Sequence, residues 1–230
     1  MEKKKIVVLT GAGISAESGI KTFRDADGLW EGHDIMEVAS PVGFDKNPAL
    51  VLDFYNQRRR QLTEVNPNEG HKALVTLETK YDVTIVTQNV DNLHERAGSS
   101  KIMHLHGELS KMRGVHYPYK IYDCPGDIFL GDVCQRGSQL RPHIVWFGED
   151  VPMIETAVAE CTEADILLII GTSMQVYPAA SLINFVPQNI PIYFIDPKPA
   201  VDRQAYQNLT VITEKASVGV ATLVEKLLEF

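Results

Sequence analysis

Three short clusters carry residue types that could do chemistry. Gly11-Ala12-Gly13-Ile14-Ser15-Ala16 follows an apolar run at residues 6–10 and fits G-x-G-x-x-G/A. Glycines after a strand allow a tight turn and close backbone approach, so that free N–H groups at the next helix can hold a pyrophosphate. A glycine turn without a ligand is the plain alternative. Gln88-Asn89-Val90-Asp91-Asn92 ends the run at residues 83–87. Amides and a carboxylate at the carboxyl end of a strand could fix ribose hydroxyls and a carboxamide, and Asp91 could equally cap a helix at residues 92–97. His104-Leu105-His106-Gly107-Glu108 closes the run at residues 102–105. The two histidines share a strand face, so a metal pair is conceivable, but no third ligand stands at a recognisable spacing. His106, at a strand end and before a glycine, is the candidate for a functional role.

The elements that must position these clusters are strands of a parallel sheet. Apolar or β-branched runs at residues 6–10, 83–87, 102–105, 165–170 and 192–195 alternate with helical stretches at 48–62, 69–80 and 218–228. Continuous apolar runs suit parallel strands covered on both faces. The fold class is therefore α/β, a doubly wound, Rossmann-like parallel sheet. Two excursions, residues 21–81 and 114–142, are longer than crossovers require and are read as a smaller inserted lobe. The expected division is a large lobe of residues 1–26, 82–108 and 143–230, and a small lobe of residues 27–81 and 109–142, in one catalytic domain. A dinucleotide dehydrogenase needs a second strand ending in Asp or Glu about twenty residues after the glycines. The turn-rich stretch at residues 22–30 offers none, so hydride transfer loses ground.

Seven segments in order, Gly11-Ala12-Gly13-Ile14-Ser15, Phe23-Arg24, Gly28-Leu29-Trp30, Thr87-Gln88-Asn89-Val90-Asp91, His104-Leu105-His106-Gly107, Val145-Trp146-Phe147-Gly148-Glu149 and Gly171-Thr172-Ser173, resemble the sirtuin family of NAD-dependent protein lysine deacylases. The resemblance implies that NAD is consumed: an acyl-lysine oxygen attacks the nicotinamide ribose, nicotinamide leaves, and the acyl group departs as O-acyl-ADP-ribose. It makes His106 the general base and has Asn89 and Asp91 position nicotinamide and ribose, with Gln88 touching the ribose. Gly11, Ala12, Gly13 and Ser15 would hold phosphate, and Phe23 and Arg24 would lie on the cofactor loop. Gly171, Thr172 and Ser173 would meet the adenosine side. Asp196 stands where the family often has Asn, a ribose contact. Val145, Phe147, Gly148 and Glu149 would take an acyl-lysine peptide as an added strand, with Phe147 lining the lysine tunnel.

Tyr55 and Arg58 stand three apart on one helix face and resemble the signature of the subgroup that removes succinyl, malonyl and glutaryl groups. A guanidinium can take the distal carboxylate bidentately while the phenol adds a hydrogen bond. The chain departs from the family at the metal site. Sirtuins carry two C-x-x-C pairs around a structural zinc, whereas Gly114 and Tyr117 occupy the places of the first pair and Cys134 alone remains near the second. Cys124, Cys134 and His116 fit no known ligand spacing, so no zinc is expected. Within the family, a plain deacetylase or a mono-ADP-ribosyltransferase remains open. Outside it stand an NAD-linked oxidoreductase and an ADP-ribose binding module.

Composition sets the remaining bounds. In 230 residues, 22 Lys+Arg against 30 Asp+Glu give a net charge of −8, which argues against a nucleic-acid partner. Three cysteines without a C-x-x-C pair exclude a disulfide scaffold and point to a reducing, cytoplasmic setting. No apolar run reaches membrane-span length, so no membrane association is expected. A monomer is expected.

Overall fold

The computed structural model describes residues 3–21, 29–201 and 206–229. Six parallel strands form the main sheet: β1 (Lys5–Thr10), β4 (Asp82–Thr87), β5 (Ile102–His104), β9 (Ile166–Ile170), β10 (Ile192–Ile195) and β11 (Leu209–Ile212). Two two-residue strands, β2 (Leu29–Trp30) and β3 (His33–Asp34), pair as a separate ribbon. The spatial order β11-β10-β9-β1-β4-β5 reads 6-5-4-1-2-3 in chain order, the doubly wound arrangement the apolar runs suggested. Its topological switch lies between β1 and β9, where chains leaving adjacent strands turn to opposite sides of the sheet. That crevice is where such sheets bind ligands.

Both sheet faces are covered, which explains why the strands are apolar throughout rather than alternating. One face packs Ile6, Val8, Ile85 and Leu168 against Leu74 and Leu77 of α5 (Glu69–Leu77) and against Val220, Leu223 and Leu227 of α8 (Ala216–Glu229). The other packs Val7, Leu9, Leu167 and Phe194 against Ala157 and Cys161 of α7 (Ile154–Thr162) and against a 3-10 segment, Ala179–Phe185. The expected division places α5 in the small lobe. Its apolar face instead lies on α8 in the large-lobe core, so the first excursion returns to the large lobe before residue 69.

The small lobe has its own core. It joins α2 (Ile35–Val38), α3 (Pro41–Lys46) and α4 (Pro48–Leu62) to an antiparallel sheet of β6 (Gly107–Gly114), β7 (Ile121–Asp123) and β8 (Leu140–Ile144), in the order β7-β6-β8. Residues 140–144, divided between lobes by the expected boundary at 143, are one strand of this sheet. The remaining helices, α1 (Ala12–Ser15) and α6 (Leu93–Ala97), are single turns at the ends of β1 and β4. α4 begins where Asn47 Oδ1 accepts from the Leu50 amide at 3.2 Å and Pro48 occupies the first turn, a strong start signal. Its buried side carries Val51, Leu52, Phe54, Tyr55 and Leu62 into a cluster with Leu109, Ile128, Ile144 and Trp146.

A polar clamp fixes the loop between β7 and β8 to α4. Asn56 Nδ2 donates to the Ile128 carbonyl and Asn56 Oδ1 accepts from the Ile128 amide, both at 2.9 Å. Arg59 Nη1 donates to the same Oδ1 at 2.8 Å, and its Nε donates to the Leu109 carbonyl on β6 at 2.8 Å. Asn56 and Ile128 are both buried, so removing the amide strands two backbone groups away from water. Asn56→Ala is expected to lower the unfolding free energy by about 3 kcal/mol in urea denaturation. A loss under about 0.5 kcal/mol, the range of ordinary surface changes, would contradict the clamp.

Candidate active site

The carboxyl ends of β1, β4 and β9 converge on glycines. The Gly13 amide donates to the Gly171 carbonyl at 2.8 Å, and the Gly11 amide to the Ile170 carbonyl at 3.0 Å. A Cβ on Gly13 would fall 2.5 Å from Gly171 Cα, inside any tolerable contact. Gly171 adopts φ +62°, a conformation that favours glycine. Both glycines are therefore demanded by two loops crossing backbone to backbone at the switch point.

The β4 loop locks onto this crossing. Asn89 donates from Nδ2 to the Gly11 carbonyl at 3.1 Å and to Ser15 Oγ at 3.3 Å, while its amide donates to Thr87 Oγ1 at 3.0 Å. Ser15 Oγ donates in turn to Asp91 at 2.9 Å, and the other Asp91 oxygen caps α6 by accepting from the Leu93 amide at 3.0 Å. Burial pushes the Asp91 carboxyl up, against the pull of those two hydrogen bonds. Ser15, expected at a phosphate, is wholly buried and bridges Asn89 to Asp91 instead. Asp91 likewise has both oxygens engaged inside the protein. Gln88 Nε2 donates to Thr172 Oγ1 at 3.1 Å, tying the β4 and β9 loops together, and the same hydroxyl accepts from the Met174 amide at 3.2 Å. Asp196 is buried at the end of β10, where it accepts from the Lys198 amide at 2.8 Å. Ala12, Gln88 and Ser173 stay partly accessible around the crevice. Phe23 and Arg24 lie outside the described residues.

His106 sits between the lobes. Its Nδ1 lies 3.1 Å from the Gln88 carbonyl, which can only accept, so Nδ1 carries the proton and Nε2 is the basic nitrogen. Burial holds its pKa below the ordinary histidine value, against that hydrogen bond, and keeps the ring neutral near pH 7. The His106 carbonyl accepts from the Val145 amide at 2.9 Å, which brings residues 145–149 alongside. Phe147 is 42% exposed there and Gly148 takes φ +90°. Glu149 is not free for a ligand. Arg141 Nη1 and Nη2 donate to its two oxygens at 2.7 and 3.1 Å, and the Trp146 amide adds a bond at 2.8 Å. Burial would raise the Glu149 carboxyl, and Arg141, the Trp146 amide and Arg113 together hold it below the ordinary value. Arg141, which stacks 3.1 Å over the Trp146 ring, gave no signal in the sequence because no local spacing connects it to Glu149.

Tyr55 and Arg58 reach this segment from α4. The Tyr55 hydroxyl accepts from Trp146 Nε1 at 3.0 Å, and the phenol is wholly buried. Arg58 lies 4.3 Å from the Phe54 ring centroid, and its Nη1 donates to the Phe54 carbonyl at 3.1 Å. Among the described residues its nearest counter-charge, Glu31, stands 4.0 Å away and is engaged by Lys21 at 2.9 Å. Arg58 Nε is buried without a hydrogen-bond partner.

This layout, a doubly wound sheet with a glycine crossing, an amide-bearing β4 loop and a histidine facing a second lobe, agrees with a family match over residues 11–178 to the Sir2 family. The chain belongs to the Sir2 family. A Helicobacter pylori protein named NAD-dependent protein deacylase is 60% identical over 226 residues, which cover 98% of each chain. A solved ADP-ribose complex of a Sir2 homologue matches with a TM-score of 0.90 at 37% identity, covering 100% of this chain and 95% of that one. Another solved Sir2 protein, bound to a myristoylated histone peptide, matches with a TM-score of 0.73 at 29% identity over 99% of this chain and 92% of that one.

The small lobe of this sirtuin does not offer the donors of a four-thiolate zinc site. Cys124 donates to the Gly126 carbonyl at 3.2 Å, and burial pushes its thiol up. Gly114 lies where a Cβ would meet Cys134 Sγ at 3.2 Å, and His116 is exposed. Among the described residues, one group of His, Cys, Asp or Glu has donor atoms close enough to share an ion: Glu95, His104 and Glu108, with no cysteine in it.

Proposed function

We propose that this sirtuin is an NAD-dependent protein lysine deacylase that prefers acyl groups ending in a carboxylate, succinyl or malonyl above acetyl. NAD, consumed as a cosubstrate, supplies the ADP-ribose that accepts the acyl group as nicotinamide departs. The glycine crossing and Ala12 face its phosphates, Gln88 and Asn89 its nicotinamide ribose, and Gly171, Thr172, Ser173 and Asp196 its adenosine side. Asp91 serves through Ser15 by fixing Asn89. His106 Nε2 takes the proton of a ribose hydroxyl, a task suited to an imidazole kept neutral by burial. The acyl-lysine peptide lies along residues 145–149 as an added strand, beside the open Phe147. The relative with a bound histone peptide supports a peptide substrate. Buried, unpaired thiols at Cys124, Cys134 and Cys161 accord with a reducing, cytoplasmic setting, where the chain acts as a monomer.

The carboxylate preference rests on Arg58. A largely buried guanidinium with an orphaned Nε and a distant, shared counter-ion favours an incoming anion. Tyr55 backs it: Trp146 already donates to its oxygen, so the phenol keeps its own proton to donate. Arg58→Met is expected to cut kcat/KM on a succinyl-lysine peptide at least about 100-fold, the worth of a charge-assisted pair, and on the matching acetyl peptide by under about fivefold. Equal losses would contradict the assignment.

The same proposal includes a small lobe held without zinc. The Asn56 clamp and the apolar cluster around Leu109, Ile128 and Trp146 take the place a metal has in other folds. Protein purified without added zinc is expected to carry far less than one equivalent and to keep its melting temperature in a chelator. One tightly held equivalent would overturn this.

A further inference from the structure

His104 ends β5, two residues before His106. Its Nδ1 lies 3.0 Å from the Asn89 carbonyl and its Nε2 lies 2.7 Å from Glu95 Oε1 on α6. A carbonyl and a carboxylate both accept, so both ring nitrogens donate and the ring is an imidazolium. His104 and His106 thus donate to the carbonyls of consecutive residues, Asn89 and Gln88, in the loop after β4. Asn89 is otherwise held by Thr87 at its amide and by Gly11 and Ser15 at its side-chain nitrogen. Its Oδ1 has no protein partner among the described residues.

We propose that His104 and Glu95 form a positioning pair for the deacylation reaction: the charged imidazole bridges α6 to the Asn89 carbonyl and fixes the peptide from which Asn89 presents its side chain to NAD. This rests on the proposed reading of the β4 loop as the cosubstrate loop. The pair also gives the loop a pH limit. Burial pushes His104 down, and the Glu95 carboxylate, the Asn89 carbonyl and Glu108 on β6 together push it above the ordinary histidine value. Asp91 on the loop contributes a further nearby carboxylate, while His94 on α6 is pushed well down by burial and stays neutral. The bridge is therefore complete below the raised pKa of His104. As pH rises through that value the ring keeps one N–H, and either Asn89 or Glu95 loses its donor. His106, whose pKa is lowered, sets the opposite limb, since it must be neutral to accept a proton.

The test measures nicotinamide release against pH for wild type, Glu95→Gln and His104→Gln with one acyl peptide, alongside ring-nitrogen NMR of the histidines. Glutamine at position 95 keeps an acceptor and removes the charge, so the alkaline limb is expected to move down by about 1–2 pH units. The KM for NAD should rise several-fold at pH 8 while that for the peptide holds. His104→Gln removes the titrating group, and the limb it sets should vanish. NMR should find both His104 ring nitrogens protonated at pH 7. A limb and a KM for NAD unchanged in folded Glu95→Gln, or a neutral His104 at pH 7, would overturn the pair. No nicotinamide release by wild type would instead contradict the deacylase reading, and the NMR result would still decide the state of His104.

Discussion

Gly13 and Gly171 meet backbone to backbone at the topological switch, and the chain of hydrogen bonds that holds the β4 loop starts beside that contact. With the Gly13 amide 2.8 Å from the Gly171 carbonyl, no side chain fits between β1 and β9. The Gly11 carbonyl is then presented to Asn89, Asn89 to Ser15, and Ser15 to Asp91, so one close approach propagates through a chain of hydrogen bonds into the β4 loop. A methyl group at either glycine would break the first link. Buried polar networks of this kind hold a single arrangement because each unpaired member would be costly.

Histidines a few residues apart are driven to opposite states by what surrounds them. His106 meets only a backbone carbonyl and burial, and stays neutral. His104 meets a carboxylate and stays charged. His71 and His94, whose rings meet edge to face 4.9 Å apart, are neutral through burial, with His71 lowered to about 4. A base able to take a proton near neutral pH and a cation able to hold a loop therefore coexist on the end of β5 and the turn after it.

Much of this was legible in the sequence. The continuous apolar runs identify five of the six sheet strands, and the helical stretch at residues 48–62 matches α4. Strand β11 escaped because an edge strand is half exposed and carries a mixed, four-residue pattern. The antiparallel β7 and β8 hid in a stretch of turn residues, because three to five residues are too short for a period to emerge. Sequence order put α5 in the small lobe, although Leu74 and Leu77 point its apolar side at α8. The placement of His106 and Asn89 just past strand ends was legible from the apolar runs that precede them. Burial is not written in a motif, so the engagement of Ser15 with Asp91, and of Glu149 with Arg141, became visible only in three dimensions.

The claim underlying the whole account is that His106 and the loops around the glycine crossing transfer an acyl group from lysine to ADP-ribose. Mass spectrometry of the protein incubated with NAD and a succinyl-lysine peptide tests it most directly. The account requires nicotinamide, free lysine peptide and O-succinyl-ADP-ribose in equal amounts, all lost in His106→Ala. Intact NAD after prolonged incubation with succinyl, malonyl and acetyl peptides, or formation of NADH, would contradict it.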